Sequence, residues 1–236
     1  MPKIKLDKVL HITGELLITA GVLLGLFAFW QVYISDSMVG QDQTSIAENY
    51  QPAPDATQNV SAEPSKTLVD VSAVSKEGEN FAKLYIPRFS KHWERIIGEG
   101  TRWAVLNTVG VGHYSKSQMP GEVGNFAVAG HRGGFGGSFK NVDHLQAGDK
   151  VWVETNDGWY VYKYLQTKIV LPTDVSVISK VPGFLDAAKK GGKYFTMTSC
   201  EPIFVNTHRI IAWFELEAAF PLDFGMPQEL KDLRGE

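Results

Sequence analysis

The chain has 236 residues, 44% of them hydrophobic and 21% charged, which is enough for one domain with a sizeable core and excludes disorder throughout. A formal charge of −3 argues against a protein built to neutralise nucleic-acid phosphates. The single cysteine excludes an internal disulfide and leaves only a weak case for zinc held through sulfur.

In chain order, a short N-terminal segment (1–15) precedes a run from Leu16 to Ile34 that carries no charge and has Gln31 as its one strongly polar residue. At about 1.5 Å per helical residue such a run nearly crosses a hydrocarbon core of roughly 30 Å. Lys3, Lys5 and Lys8 stand before it and Asp36 and Asp42 after it, so the positive-inside rule places the N-terminus in the cytoplasm and the rest outside. Trp30 and Tyr33 fall where an interfacial belt would lie. A buried core helix and a cleaved signal peptide compete with this reading. A retained signal anchor over 16–34 is preferred, because the run is long and no small-x-small cleavage site follows it.

Residues 35–80 hold eight acidic residues against Lys66 and Lys76, with Pro52, Pro54 and Pro64. That composition buries too little apolar surface to offset chain ordering, so a disordered acidic spacer is expected. Beyond it the pattern is mainly β. Short strands are expected at 84–86, 103–106, 125–129, 150–154, 159–164, 167–170, 194–199 and 210–216, with Thr155-Asn156-Asp157-Gly158 as a hairpin turn. Helix is expected only around 91–99 and 184–190. Several short alternating strands with few long helices favour a closed barrel, a sandwich remaining open from pattern alone. Residues 218–236 form a C-terminal tail.

Cys200 ends the strand-like run Lys193–Ser199 and stands just before Glu201-Pro202, where a groove can reach its thiol. A lone cysteine is commonly a small buried hydrophobe, but an unpaired thiol outside the cytoplasm risks oxidation, which weights a functional role. A nucleophilic thiol needs an imidazole partner and an oxyanion donor. His131 closes Asn125–Gly130 where a strand opens into a Gly-rich loop, with His208 and His113 as seconds. Arg209 starts the last strong strand nine positions after Cys200, so an antiparallel pair would set its guanidinium beside the thiol, unless it makes an ordinary rim salt bridge. The glycines at 133–137 lack the Gly-Lys-Ser/Thr ending of a phosphate loop, and no carboxylate pair stands out for acid–base work.

His131, Cys200 and Arg209 together resemble the catalytic set of sortases, the membrane-anchored cysteine transpeptidases of Gram-positive bacteria. Leu84-Tyr85-Ile86-Pro87, Ala129-Gly130-His131-Arg132, Thr196-Met197-Thr198-Ser199-Cys200 and Arg209-Ile210-Ile211 resemble that family's motifs in order, over about residues 81–217. Gly112-His113-Tyr114 ahead of Pro120-Gly121 is most similar to class E enzymes of actinobacteria; no Asp-Pro-aromatic lid or second apolar segment points to the pilus class. The resemblance implies a sortase-like closed β-barrel, with Cys200, His131 and Arg209 catalytic and Tyr114, His113, Thr198 and Ser199 binding substrate. It further implies cleavage of a Leu-Ala/Pro-X-Thr-Gly signal between Thr and Gly on exported proteins, and transfer to an amine of a peptidoglycan precursor such as lipid II. No metal or organic cofactor is required by that chemistry. Two departures stand out: Ser199 where Thr is usual, and Glu201 where class E members often carry His, a carboxylate that would disfavour the thiolate if it turned inward. The competing functions are a non-catalytic membrane-tethered binding module and a hydrolase that only trims exported peptides.

Overall fold

The computed structural model describes residues 3–51 and 76–236. Eight strands close into one barrel in the order β1-β2-β3-β4-β7-β8-β6-β5, which leaves no open edge. They are β1 (Asn80–Tyr85), β2 (Glu94–Glu99), β3 (Gly110–His113), β4 (Gly124–Gly130), β5 (Lys150–Thr155), β6 (Gly158–Val170), β7 (Lys193–Glu201) and β8 (His208–Pro221). β2 runs parallel to β3 and β4 parallel to β7, whereas the other six pairs are antiparallel.

Side chains alternate between the two faces of every strand. The inner positions, among them Leu84, Val111, Phe126, Val128, Phe195, Met197, Ile210, Ala212 and Phe214, fill the barrel as one buried cluster. Trp213, Ile211, Tyr194 and Val170 face the other way and are covered by the β6–β7 connection through Val177 and Leu185. The outer face near the site is therefore walled.

Several expectations are corrected. The segment 103–106 is not a strand but part of helix α3 (Trp103–Thr108), because the parallel β2–β3 pair needs a crossover. Residues 91–99 are not helical: β2 lies there, buried at every position, and its alternation is hidden by Glu94, Arg95 and Glu99, each held in an ion pair or hydrogen bond. The 184–190 stretch forms turns rather than a helix. The two runs at 159–164 and 167–170 are one long strand, β6, bent by an irregular pairing between Tyr164 and Gln166.

The ends of the chain are more ordered than composition suggests. Helix α1 (Lys3–Phe29) passes through a π-helical turn (Trp30–Ser35) into α2 (Asp36–Asn49). It is the one helix among the described residues long and apolar enough to cross a membrane, and its apolar stretch is unburied. α2 falls within the segment expected as spacer, yet it packs on β2: Ala47 is buried against Ile96, Val105 and Val109. An apolar stripe of Ile46, Ala47 and Tyr50, diluted by polar neighbours, is what composition concealed. The expectation for 52–75 lies outside the described residues. At the other end, α4 (Gln228–Arg234) buries Leu230 among Tyr85, Trp152, Trp159 and Val161.

Candidate active site

The strand pairing brings the three chemically distinctive residues into one row. Cys200 of β7 is paired with Arg209 of β8. On its other side β7 pairs in parallel with β4, Thr198 opposite Ala129, so two residues further on His131 comes level with Cys200. Neighbouring strands lie about 4.8 Å apart. The parity of each strand sends all three side chains outward, because the inner positions are taken by Phe195, Met197, Val128 and Ile210. Ser199 locks this register: its hydroxyl donates to the Gly130 carbonyl at 2.7 Å, one residue before both Cys200 and His131.

His131 is partly buried and has defined neighbours. Its Nε2 lies 2.9 Å from Asn107 Oδ1 at the end of α3. Trp103 meets the ring edge-on with centroids 6.1 Å apart, and Phe135, itself packed on Trp103 at 5.0 Å, lies 5.2 Å from it. This burial pushes the imidazole pKa down from its ordinary value, with Asp36 opposing weakly as a negative charge. Asn107, Trp103 and Phe135 were not legible as site residues. Trp103 and Asn107 sit on a helix mistaken for a strand, and Phe135 sits in a loop whose glycines dominate its pattern.

Arg209 is held by its Nη1 donating to the carbonyls of Asn206 and His208, both at 2.9 Å. Among the described residues no hydrogen bond engages its Nε or Nη2. Cys200 is half-buried and is a free thiol. Beyond it, the β7–β8 loop carries exposed Phe204 and Val205. Phe204 and Ile203 lie against Gly133 so closely that a Cβ there would meet them at 2.8–2.9 Å, which ties the two loops flanking the thiol together.

Glu201 does not turn toward the thiol. One residue along, it takes the opposite face and pairs with Arg132, which itself stands one residue after His131. Arg132 is almost wholly buried and also pairs with Asp143 at 3.1 Å and donates to the Lys140 carbonyl. The negative charge beside Cys200 is thus neutralised on the far side of the strand.

The four residues implied as substrate contacts divide. Tyr114 points outward, its hydroxyl 2.9 Å from Thr198 Oγ1, and Thr198 also donates to the Val128 carbonyl. Both border the row. His113 does not: it is 2% exposed, its Nδ1 is 2.6 Å from Glu99 Oε2, and its ring packs on Phe81 and Phe126. Ser199 likewise faces inward, and its hydroxyl is spent on Gly130. Neither His113 nor Ser199 can reach a peptide in the outer groove. Among the described residues no group of three or more His, Cys, Asp and Glu is arranged to hold a metal ion.

Residues 84–217 match the sortase domain family. Over 235 residues the chain is 32% identical to sortase SrtE2 of Streptomyces coelicolor, covering 93% of this chain and 87% of that protein. It is 33% identical to sortase SrtE1 of the same organism, spanning 92% of this chain and 60% of the relative. The fold matches the structure of sortase E from Streptomyces avermitilis with a TM-score of 0.61 at 38% identity, over 66% of this chain and 99% of that one. A structure of Streptomyces coelicolor sortase E1 with a tripeptide in the active site matches with a TM-score of 0.60 at 33% identity, over 65% of this chain and 97% of that one. The chain belongs to the sortase family of cysteine transpeptidases, within the actinobacterial class E group.

Proposed function

We propose that this enzyme is anchored in the membrane by residues 16–34 with its barrel outside, and that it cleaves a Leu-Ala/Pro-X-Thr-Gly signal between Thr and Gly. The observation carrying the chemistry is the outward row of His131, Cys200 and Arg209 on three adjacent strands. Cys200 thiolate attacks the Thr carbonyl carbon. Arg209, with Nε and Nη2 free, donates to the oxygen that gains charge, and His131 as imidazolium gives its proton to the departing Gly amine. The result is a Thr thioester on Cys200 and a neutral imidazole.

The thioester is resolved by a peptidoglycan-precursor amine such as that of lipid II. His131 takes the amine's proton as the amide forms, which regenerates thiolate and imidazolium. Burial by Trp103 and Phe135 favours the neutral ring that this second step needs, and the Asn107 side chain orients it. Tyr114 and Thr198 flank the acyl side, and Tyr114 is assigned to the residue after Leu in the signal, with Leu-Ala expected to be preferred over Leu-Pro.

Full-length protein in detergent, incubated with a Leu-Ala-X-Thr-Gly peptide and an amine acceptor, is expected to yield the acyl adduct on Cys200 by mass spectrometry and then the amide product. Cys200→Ala should lose both. Absence of adduct and product across a panel of Leu-Ala and Leu-Pro peptides would overturn the assignment, and product formed only with water would replace transfer by hydrolysis.

A further inference from the structure

The loop that carries His131 is held from outside the barrel. Gln43 of α2 is wholly buried and its amide is fully used. Nε2 donates to the Phe135 carbonyl at 3.0 Å and to the Asn107 carbonyl at 3.3 Å, while Oε1 accepts from Ser138. Phe135 and Asn107 both touch the His131 side chain, Phe135 through its ring and Asn107 through its amide oxygen at Nε2. About two turns earlier on the same helix, Asp36 Oδ1 accepts the Gly136 N–H at 2.7 Å.

These bonds fall on backbone that would not hold its shape unaided. Phe135 sits at φ +52°, in the left-handed region where a bulky side chain is strained by about 1–3 kcal/mol. Such a conformation persists only where its surroundings fix it. The next residue, Gly136, has φ +82°, and a Cβ there would meet Gln43 Oε1 at 2.5 Å, so loop and helix are fitted to each other.

We propose that α2 is a clamp on the active site and that Gln43 and Asp36 are positioning residues for His131, which makes the helix continuous with the membrane anchor part of the catalytic unit. Gln43 is nine helical steps beyond Ile34, about 14 Å along the axis, so the same helix that enters the membrane sets the imidazole in place. The inference rests on His131 acting in the reaction. Its failure is separable from failure of that reading, because Cys200→Ala and His131→Ala abolish turnover whether or not the clamp matters.

The test uses full-length protein in nanodiscs with a Leu-Ala-X-Thr-Gly peptide and an amine acceptor. Gln43→Leu keeps the volume and removes both donors and the acceptor. It is expected to lower kcat about tenfold or more with KM within twofold, since small misplacement of a reacting group costs rate steeply. The His131 titration, followed by NMR, should move upward toward the ordinary imidazole value as water reaches the ring. Asp36→Ala should lower kcat several-fold, and Asp36→Asn, which keeps an acceptor for Gly136 N–H while losing the charge, should recover most of that loss. The clamp is refuted by wild-type kcat and titration in Gln43→Leu, by losses that merely follow a lowered unfolding temperature, or by Asp36→Asn being no better than Asp36→Ala.

Discussion

The buried His113–Glu99 pair offers a sharp test of whether His113 belongs to the substrate site or to the core. The two side chains are 2% and 5% exposed and meet at 2.6 Å. His113→Phe keeps the ring packing on Phe81 and Phe126 but leaves the carboxylate of Glu99 without that partner. Breaking one side of a buried pair costs about 3–5 kcal/mol, and the lower end applies because Ser115 still hydrogen-bonds Glu99. For a domain of this size 1 kcal/mol moves the unfolding temperature by roughly 2–4 °C, so a fall of about 6–12 °C is expected by calorimetry. Adding Glu99→Met removes the stranded charge and should restore most of the loss.

The same pair sets an acid limit. Burial pushes the Glu99 carboxyl up, but hydrogen bonds from His113 and Ser115 more than offset it, leaving its pKa below the ordinary 4.5. A carboxyl depressed on folding contributes stability that is full above its unfolded pKa and is lost as pH falls through the folded one. In His113→Phe burial is less opposed, so the acid midpoint of unfolding should rise. Peptide KM, measured well below the unfolding temperature, should stay within twofold. A several-fold rise in KM with no change in unfolding temperature would refute the structural role, as would a double variant no more stable than the single one.

Tyr114→Phe removes the hydroxyl bonded to Thr198 and should raise KM several-fold for Leu-Ala peptides with less effect on Leu-Pro peptides, read from steady-state kinetics on both series. Trp103→Ala opens one side of the His131 ring; its pKa should rise toward the ordinary value in an NMR titration. A histidine held low by burial subtracts stability as pH falls from its unfolded pKa through the folded one, so the stability gap between pH 7 and pH 5 should narrow in that variant. Leu230→Ala empties a buried position on α4 and should cost about 2–4 kcal/mol by denaturant unfolding, with kcat unchanged because α4 lies away from the row.

Much of the barrel was legible because its strands alternate openly: 150–154 and 159–164 with the Asn-Asp-Gly turn between them, 125–129, 194–199 and 210–216 all stand as strands. β2 was not, since Glu94, Arg95 and Glu99 read as surface charges; pairing with Lys83, Arg234 and His113 lets the two carboxylates be buried, and Arg95 is buried donating to Thr44 Oγ1 and the Glu94 carbonyl. α2 was hidden for a related reason. A stretch of Asp, Gln and Ser has nothing to bury alone, and Gln43 becomes a core residue only because the carbonyls of Asn107 and Phe135 and the Ser138 hydroxyl meet it. The row of Cys200, His131 and Arg209 could be read because each stands at a strand end, whereas Asn107 and Phe135 owe their places to tertiary contacts.

Strand parity orders the site more fully than motif matching does. On β3 and its exit, His113 points in and Tyr114 out; just past the end of β4, Arg132 takes the side opposite His131; on β7, Ser199 and Glu201 take the inner side and Thr198 and Cys200 the outer. Every residue suited to a peptide groove lies on one face, and every adjacent residue supports it from the other. The two departures from the usual motif, Ser199 and Glu201, both fall on the supporting face. Ser199 keeps the one hydroxyl needed to tie β7 to Gly130, and Glu201 is matched by the buried Arg132, whose charge would otherwise need another partner beside Asp143. A side chain at 199 or 201 therefore reaches the thiol only through the strand that carries it, by setting the height of Cys200 against His131 rather than by touching the reacting atoms.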